Sequence, residues 1–324
     1  ANNKFIGYGL LVLVLVAQDV LGMLDFTHNL YSIGSWPNAP YSDMNGYGHF
    51  LVGQLAFQGY WGLFIAALLL LAAALWVRGV DGGWRQRLAG MRAQLQGGLG
   101  VAFAVAVLGF AVVGGVLFWN TNVRNDFVSP DGQLDLQARY ERDYKQYESL
   151  PQPRIVASRS DIDLRPETQS MTGTLIYTVR NPHAGPIADV HIGMTEDRAL
   201  VDVDLGGQTL VQHDVPLGYR IYTLATPLAP GEQREFRFKV DFHSTGITSG
   251  QAQTQFVENG SFFNSSMFPQ FGYNARVEIS DRNERRKRDL GEPRRMPKLE
   301  DEAARANTYL TDDADWIDFS TTIC

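Results

Sequence analysis

The chain carries six histidines, His28, His49, His183, His191, His213 and His243, and one cysteine, Cys324. A zinc hydrolase needs two imidazoles one helical turn apart with a glutamate beside them, H-E-x-x-H, because that spacing puts both ligands on one helical face. None of the six meets it. A single thiol excludes an intrachain disulfide and a thiolate zinc site. The phosphate-cradling run G-x-x-x-x-G-K-[ST] and the nucleophile elbow G-x-S-x-G are also missing, so the sequence as given holds no self-contained catalytic site. His28, His49, Asp25 and Asp43 fall in one polar, aromatic stretch. Neither histidine has a partner at i+3 or i+4, and the stretch reads as an ordered cap over helices rather than a metal site.

The elements that would position such groups divide into an apolar half and a turn-rich half. Residues 60–77 and 98–119 carry no charge, and each run is long enough to cross a hydrocarbon core of roughly 30 Å at ~1.5 Å per residue. Soluble helices show a polar stripe, and these two show none. Tyr60, Trp61, Trp76, Phe118 and Trp119 sit at their ends as an aromatic belt would. The loop between them, 78–97, holds Arg78, Arg85, Arg87 and Arg92 against Asp81, which makes it cytoplasmic by the positive-inside rule. Everything after Trp119 is then extracytoplasmic.

An earlier run, residues 5–24, reaches spanning length only by including Asp19, an acid that in lipid should face other helices or water. It reads as a third transmembrane helix, with a cleaved signal-like segment or a re-entrant or interfacial piece as alternatives. An odd crossing places the following loop, 25–58, outside. Residues 120–153 are charged and space Tyr140, Tyr144 and Tyr147 along one side of a helix, a juxtamembrane stalk ended by LPQPR.

From Arg154 the period changes from helical to two. SMTGTLIYTVRN, ADVHIGM, ALVDVDLG, YRIYTLAT and EQREFRFKVDFHS alternate between turns such as NPHAGP and PLAPGE, which predicts an all-β antiparallel sandwich or saddle over 154–324. A charged loop, 280–307, interrupts it with a basic block followed by an acidic one, expected to be solvated or self-paired on the domain. The net charge of −7 argues against nucleic acid as a partner.

Several phrases resemble a bacterial family of inner-membrane proteins in which an ABC-type exporter permease is fused to an aminopeptidase-N-like zinc metallopeptidase of the gluzincin class. They are PYSDMNGYGHF, WNTNVRNDF, YKQYESLPQPRI, VENGSFFNSSMFPQFGYN and MPKLEDEAARANTYLTDDADWIDF, which lie between about Leu24 and the end. The resemblance implies that the chain holds the last permease helices and the N-terminal β-saddle domain, incomplete at its C-terminal end. The zinc and the catalytic helix would lie downstream, so no cofactor is expected in this chain. It further implies that the β-domain lends one acidic or amide side chain to the wall receiving a substrate's N-terminus, shortly before a Phe-Pro pair. Glu258 and Asn259, ahead of Phe268 and Pro269, are the positions that match, although Gln270 stands where the family usually has Cys. A carboxylate or amide there would hydrogen-bond a free α-amino group. VENGS equally suits a plain turn, with Asn259-Gly260 supplying positive φ.

The expected function is therefore non-catalytic: to anchor and hold a downstream metallopeptidase outside the inner membrane. The implied partners are membrane lipid, the remaining permease helices, the peptidase domain and a separate ABC ATPase subunit. A membrane-anchored ligand-binding or sensing module without peptidase is the alternative.

Overall fold

The computed structural model describes residues 4–44, 46–76, 84–244, 246–250, 255–258, 260–293, 298, 300–302 and 316–324, with the backbone alone at 4 and 84–86. Arg78 and Asn259 fall outside this set, as do residues 294–297, 299 and 303–307 of the charged loop. The residues group into two compact units, Ala1–Pro130 with Thr245–Gln253, and Asp131–Ser244 with Thr254–Cys324.

The first unit is helical. Helices α1 (Lys4–Met23), α2 (Phe50–Ala74) and α4 (Gly98–Phe118), the last prolonged by a π-helical turn over Trp119–Arg124, are each long and apolar enough to cross a membrane. α2 begins ten residues before its apolar run. Gln54 and Gln58 dilute the hydropathy there, but no proline or turn residue stops the backbone from continuing helically. The basic connection is itself partly helical, α3 (Trp84–Leu95), because WRQRLAGMRAQL is rich in strong helix formers. Arg85, Arg87 and Arg92 lie on it.

α2 and α4 pack directly on each other. Tyr60 stacks on Phe110 with ring centroids 4.5 Å apart, and Phe57, Tyr60, Trp61 and Leu117 form a buried cluster with Leu30. Gly109 and Gly114 permit the approach, since a Cβ at Gly114 would meet the Tyr60 ring at 2.9 Å. Asp19 is exposed on α1.

The second unit opens with α5 (Pro130–Tyr144), the helix in the stretch expected to be a juxtamembrane stalk. Tyr140 and Tyr144 are buried in a cluster with Tyr219 and Ile221, so the helix is part of the β-domain's own packing. The i, i+4, i+7 tyrosines form the face that does this: Tyr140 stacks on Tyr273 at 5.1 Å, Tyr144 lies 4.0 Å from Tyr219, and Tyr147 4.7 Å from His191.

Among the described residues nine strands follow: β1 (Arg154–Arg165), β2 (Ser170–Arg180), β3 (Ile187–Gly193), β4 (Leu200–Asp204), β5 (Gln208–Asp214), β6 (Tyr219–Leu228), β7 (Gln233–His243), β8 (Gln270–Phe271) and β9 (Asp318–Ile323). A short helix, α6 (Arg282–Lys287), lies between the last two. The strands form a sandwich of two sheets, ordered β4-β7-β2-β1-β9 and β5-β6-β3-β8. β4 and β5 belong to different sheets although only the turn at Gly206 and Gly207 separates them. Both glycines have positive φ, and the chain crosses between layers there with Leu205 fully buried.

The pairings are antiparallel except β1 with β9, which runs parallel. β9 comes from far along the chain, so no hairpin constrains its direction. Alternating residues of both sheets fill the core: Leu175, Tyr177 and Val179 from β2 and Phe236, Phe238 and Val240 from β7 face Val190, Ile192, Tyr222 and Leu224.

Candidate functional site

Glu258 stands exposed at the tip of a turn. Gly260 N donates to Val257 O, Val257 N to Ser261 Oγ at 3.2 Å, and Phe262 N to Gln255 O, while Phe256 and Val257 are buried beneath. Phe256 packs against Phe242 and Phe263 in the main core, which fixes the loop from inside and leaves the glutamate pointing out of the domain's packing. Further on, Asn264 caps the turn Ser265–Met267, Pro269 is buried, and Gln270 and Phe271 join the sheet beside β3. Gln270 therefore has a structural part: it pairs with Gly193 in the ladder and accepts from Asn274 through its side chain at 3.3 Å. A carboxylate at Glu258 can accept from a ligand ammonium, and the described residues of this chain leave that position open.

The most buried charge among the described residues lies elsewhere, where the sequence marked only a solvated or self-paired loop. Arg285, on α6, is almost wholly buried and grips Glu141 of α5 with two hydrogen bonds, Nη1 to Oε2 at 2.8 Å and Nη2 to Oε1 at 2.7 Å. Its remaining donors reach Ile279 O and Gly291 O. Lys145 Nζ donates to Glu141 at 2.8 Å and to Glu278 at 3.1 Å, and Tyr273 OH donates to Glu278. Burial alone would raise the Glu141 pKa, but the hydrogen bonds from Arg285 and Lys145 outweigh it and hold the carboxyl below its ordinary range. Two cations and two carboxylates thus neutralise one another in a saturated network. Asp281 caps α6 by accepting from Asn283 N and Glu284 N.

A second cluster joins His213 Nε2 to Asp197 Oδ2 at 2.7 Å, with Arg220 Nε on Oδ1 at 2.8 Å. The arginine also caps Asp197 O and Leu200 O, so this acid is committed to holding a turn. In the helical unit, His28 accepts from Leu30 N at Nδ1, which leaves Nε2–H to donate to Thr121 Oγ1 at 3.0 Å. Burial lowers the pKa of His28 in keeping with that neutral tautomer. Among the described residues no three His, Cys, Asp or Glu side chains converge as a metal site. The outer face of the five-stranded sheet forms an open depression of about 450 Å³, lined by Asp161, Asp163, Thr172, Lys239, Asp241 and Thr322 among others.

Fold and clusters together define a protein with three membrane-type helices followed by a two-sheet β-domain. No family model matches the chain, and no curated protein matches it. Among solved structures it aligns with an M1 zinc metallopeptidase from Deinococcus radiodurans at 15% identity and a TM-score of 0.22, covering 32% of this chain and 24% of that one. A mutant of an M1 zinc metallopeptidase from the same organism, bound to a Tyr-Ser-Ala substrate, aligns at 16% identity and 0.21, over 29% and 21%. A GH20 exo-β-N-acetylglucosaminidase from Vibrio harveyi aligns at 12% identity and 0.17, over 31% and 19%. The chain spans about a quarter or less of the length of each of these structures.

Proposed function

We propose that this chain is the membrane-anchoring and N-terminal β-domain portion of an ABC permease–zinc aminopeptidase fusion, and that it holds a downstream metallopeptidase outside the inner membrane. The observation that carries the reading is the order of elements: apolar helices long enough to span, then a β-sandwich reached from α4 through Trp119–Arg124 and the short stretch to Pro130. The arginines of the 78–97 connection support a cytoplasmic address for that loop and hence an extracytoplasmic one for the β-domain. In this role the helices join the remaining permease helices in a bundle served by a separate ATPase subunit. Glu258 and Asn259 wall the peptidase cleft, where the carboxylate meets a substrate's free amine once a second domain closes over it.

The test is to recover the native polypeptide from its host membrane with an antibody raised against the β-domain. The expected result is a zinc-containing protein that hydrolyses aminoacyl substrates, with the β-domain digested by protease added to sealed spheroplasts. A native protein free of zinc and peptidase activity overturns the reading in favour of a ligand-binding module, and a β-domain shielded from protease overturns its sidedness.

A further inference from the structure

We infer that the loop between α1 and α2, residues 24–49, is an interfacial element that lies in the lipid headgroup layer, with its aromatic side chains against the bilayer. The inference rests on the reading that the helices span a membrane, and three observations carry it.

The first is depth. α2 is 25 residues long, or about 37 Å at ~1.5 Å per residue, some 7 Å more than the hydrocarbon core requires. Counting a core's length back from Ala74 puts Trp61 roughly two turns inside the far boundary. The Trp61 side chain then reaches back along the helix, and its Nε1 donates to Asn29 O and Ser35 O, each at 3.1 Å. Tyr60 OH donates to Leu30 O at 3.3 Å. The loop is thereby held down at the level where acyl chains meet headgroups.

The second is the accounting of backbone donors, which a loop in water does not need to balance. Asn29 N donates to Ser249 Oγ, Leu30 N to His28 Nδ1, Tyr31 N and Ser32 N to His28 O, Ile33 N to Gln18 Oε1, and Ser35 N to Ser32 O. Non-helical backbone is stable close to hydrocarbon only when its polar groups are met internally, and residues 29–33 and 35, the part that Tyr60 and Trp61 hold, meet theirs.

The third is what faces outward. Phe26, Tyr31, Ile33, Trp36, Tyr41 and Tyr47 are each more than two-fifths exposed. Tyr31, Trp36, Tyr41 and Tyr47 have the apolar body and polar tip that settle at the membrane interface, and Phe26 and Ile33 add apolar surface beside them. The loop is continuous with a spanning helix at both ends, so lipid is its nearest neighbour by connectivity.

The test places a nitroxide label, in a Cys324→Ser background, on the full chain in phosphatidylethanolamine–phosphatidylglycerol nanodiscs. Labelled positions are Ile33→Cys and Trp36→Cys, with Leu69→Cys on α2 as the lipid reference and Val211→Cys on the β-domain as the water reference. The expected oxygen-to-nickel accessibility ratio at 33 and 36 lies several-fold above that at 211 and below that at 69. A lipid-like ratio at 69 with water-like ratios at 33 and 36 overturns the inference and leaves the spanning reading intact. Low access to both reagents at 33 and 36 overturns it in favour of a protein partner. A water-like ratio at 69 brings down both. As a second readout that leaves the loop unlabelled, the Trp36 signal, taken as the fluorescence difference between the unsubstituted protein and Trp36→Phe, should be quenched by brominated lipid, and an unquenched difference counts against the inference.

Discussion

Replacing Arg285 by methionine removes the guanidinium while keeping most of the side chain's length. Glu141 would lose both of its short bonds to Arg285 and keep only Lys145, while Ile279 O and Gly291 O lose their donors. Side-chain exposure is 2% at Arg285 and 5% at Glu141, so little water is available to replace what is lost. Breaking one partner out of a buried pair costs about 3–5 kcal/mol. In domains of 150–250 residues each kcal/mol moves the melting midpoint by about 2–4 °C, so a fall of roughly 6–20 °C is expected. The assay is thermal unfolding of the full chain followed by near-ultraviolet circular dichroism, which reads the tyrosine cluster on α5. The double variant Glu141→Leu, Arg285→Met should recover much of the loss, because the uncompensated carboxylate is the main penalty. The pH dependence has a definite sign: a carboxyl held below its ordinary pKa contributes stability above the unfolded value near 4.5, and loses it as pH falls through the lowered value. The deficit of Arg285→Met should accordingly be full at pH 7 and shrink in acid. A single variant that melts within about 2 °C of the parent at pH 7 would refute the claim that this pair is dry.

Three further outcomes follow from the β-domain. Tyr144 donates to Asp214 at 3.1 Å, and burial followed by that carboxylate pushes its hydroxyl up to about 12. Spectrophotometric titration should therefore show tyrosine ionisation near there, to which Tyr140 also contributes, and Tyr144→Phe should lower its amplitude at a cost of about 1 kcal/mol in urea unfolding. Because the folded pKa is the higher one, that tyrosine's stabilisation is lost as pH climbs from the unfolded value near 10. Asn181 is fully buried, donates to Gly185 O and Leu228 O at 2.8 Å each, and accepts from His183 N at 2.9 Å. Asn181→Ala strands those backbone groups, and a loss of about 2–4 kcal/mol should appear as a lower urea midpoint. Gly218 has φ +60°, and a Cβ there would stand 2.0 Å from Met194 O, whose own N–H donates to Gly218 O. Gly218→Ala should destabilise the domain well beyond the cost of positive φ alone, whereas Gly231→Ala, with φ +74° and open space around it, should show only the backbone penalty.

Legibility followed the range of the interactions. The long apolar helices were readable because each is one continuous uncharged stretch, and the strands because alternation across a sheet is local. The tyrosine face of α5 was readable from its spacing. Its burial against β6 was not, since a stripe at i, i+4, i+7 does not say what it meets. The pairing of Glu141 with Arg285 joins residues 144 apart, and both look like ordinary charges on solvated helices. The start of α2 was placed too late because hydropathy reports solvent preference and not backbone geometry. At Glu258 the local phrase defines a turn, and the structure places that residue at an exposed tip; any ligand role depends on a surface that would approach it from elsewhere.

Residues 245–253 belong with the helices, where Ser249 bonds Asn29 and Ile247 O lies within reach of the Asn125 amide, although the strands on either side of them in sequence belong to the other unit. The polypeptide therefore passes between its two halves three times. Severing it near Pro130, by a protease or by choosing an expression boundary there, would not yield a tidy β-domain half. It would either leave the pieces still joined through the later passages, or free a β-domain trailing a nine-residue arm stripped of its natural resting place.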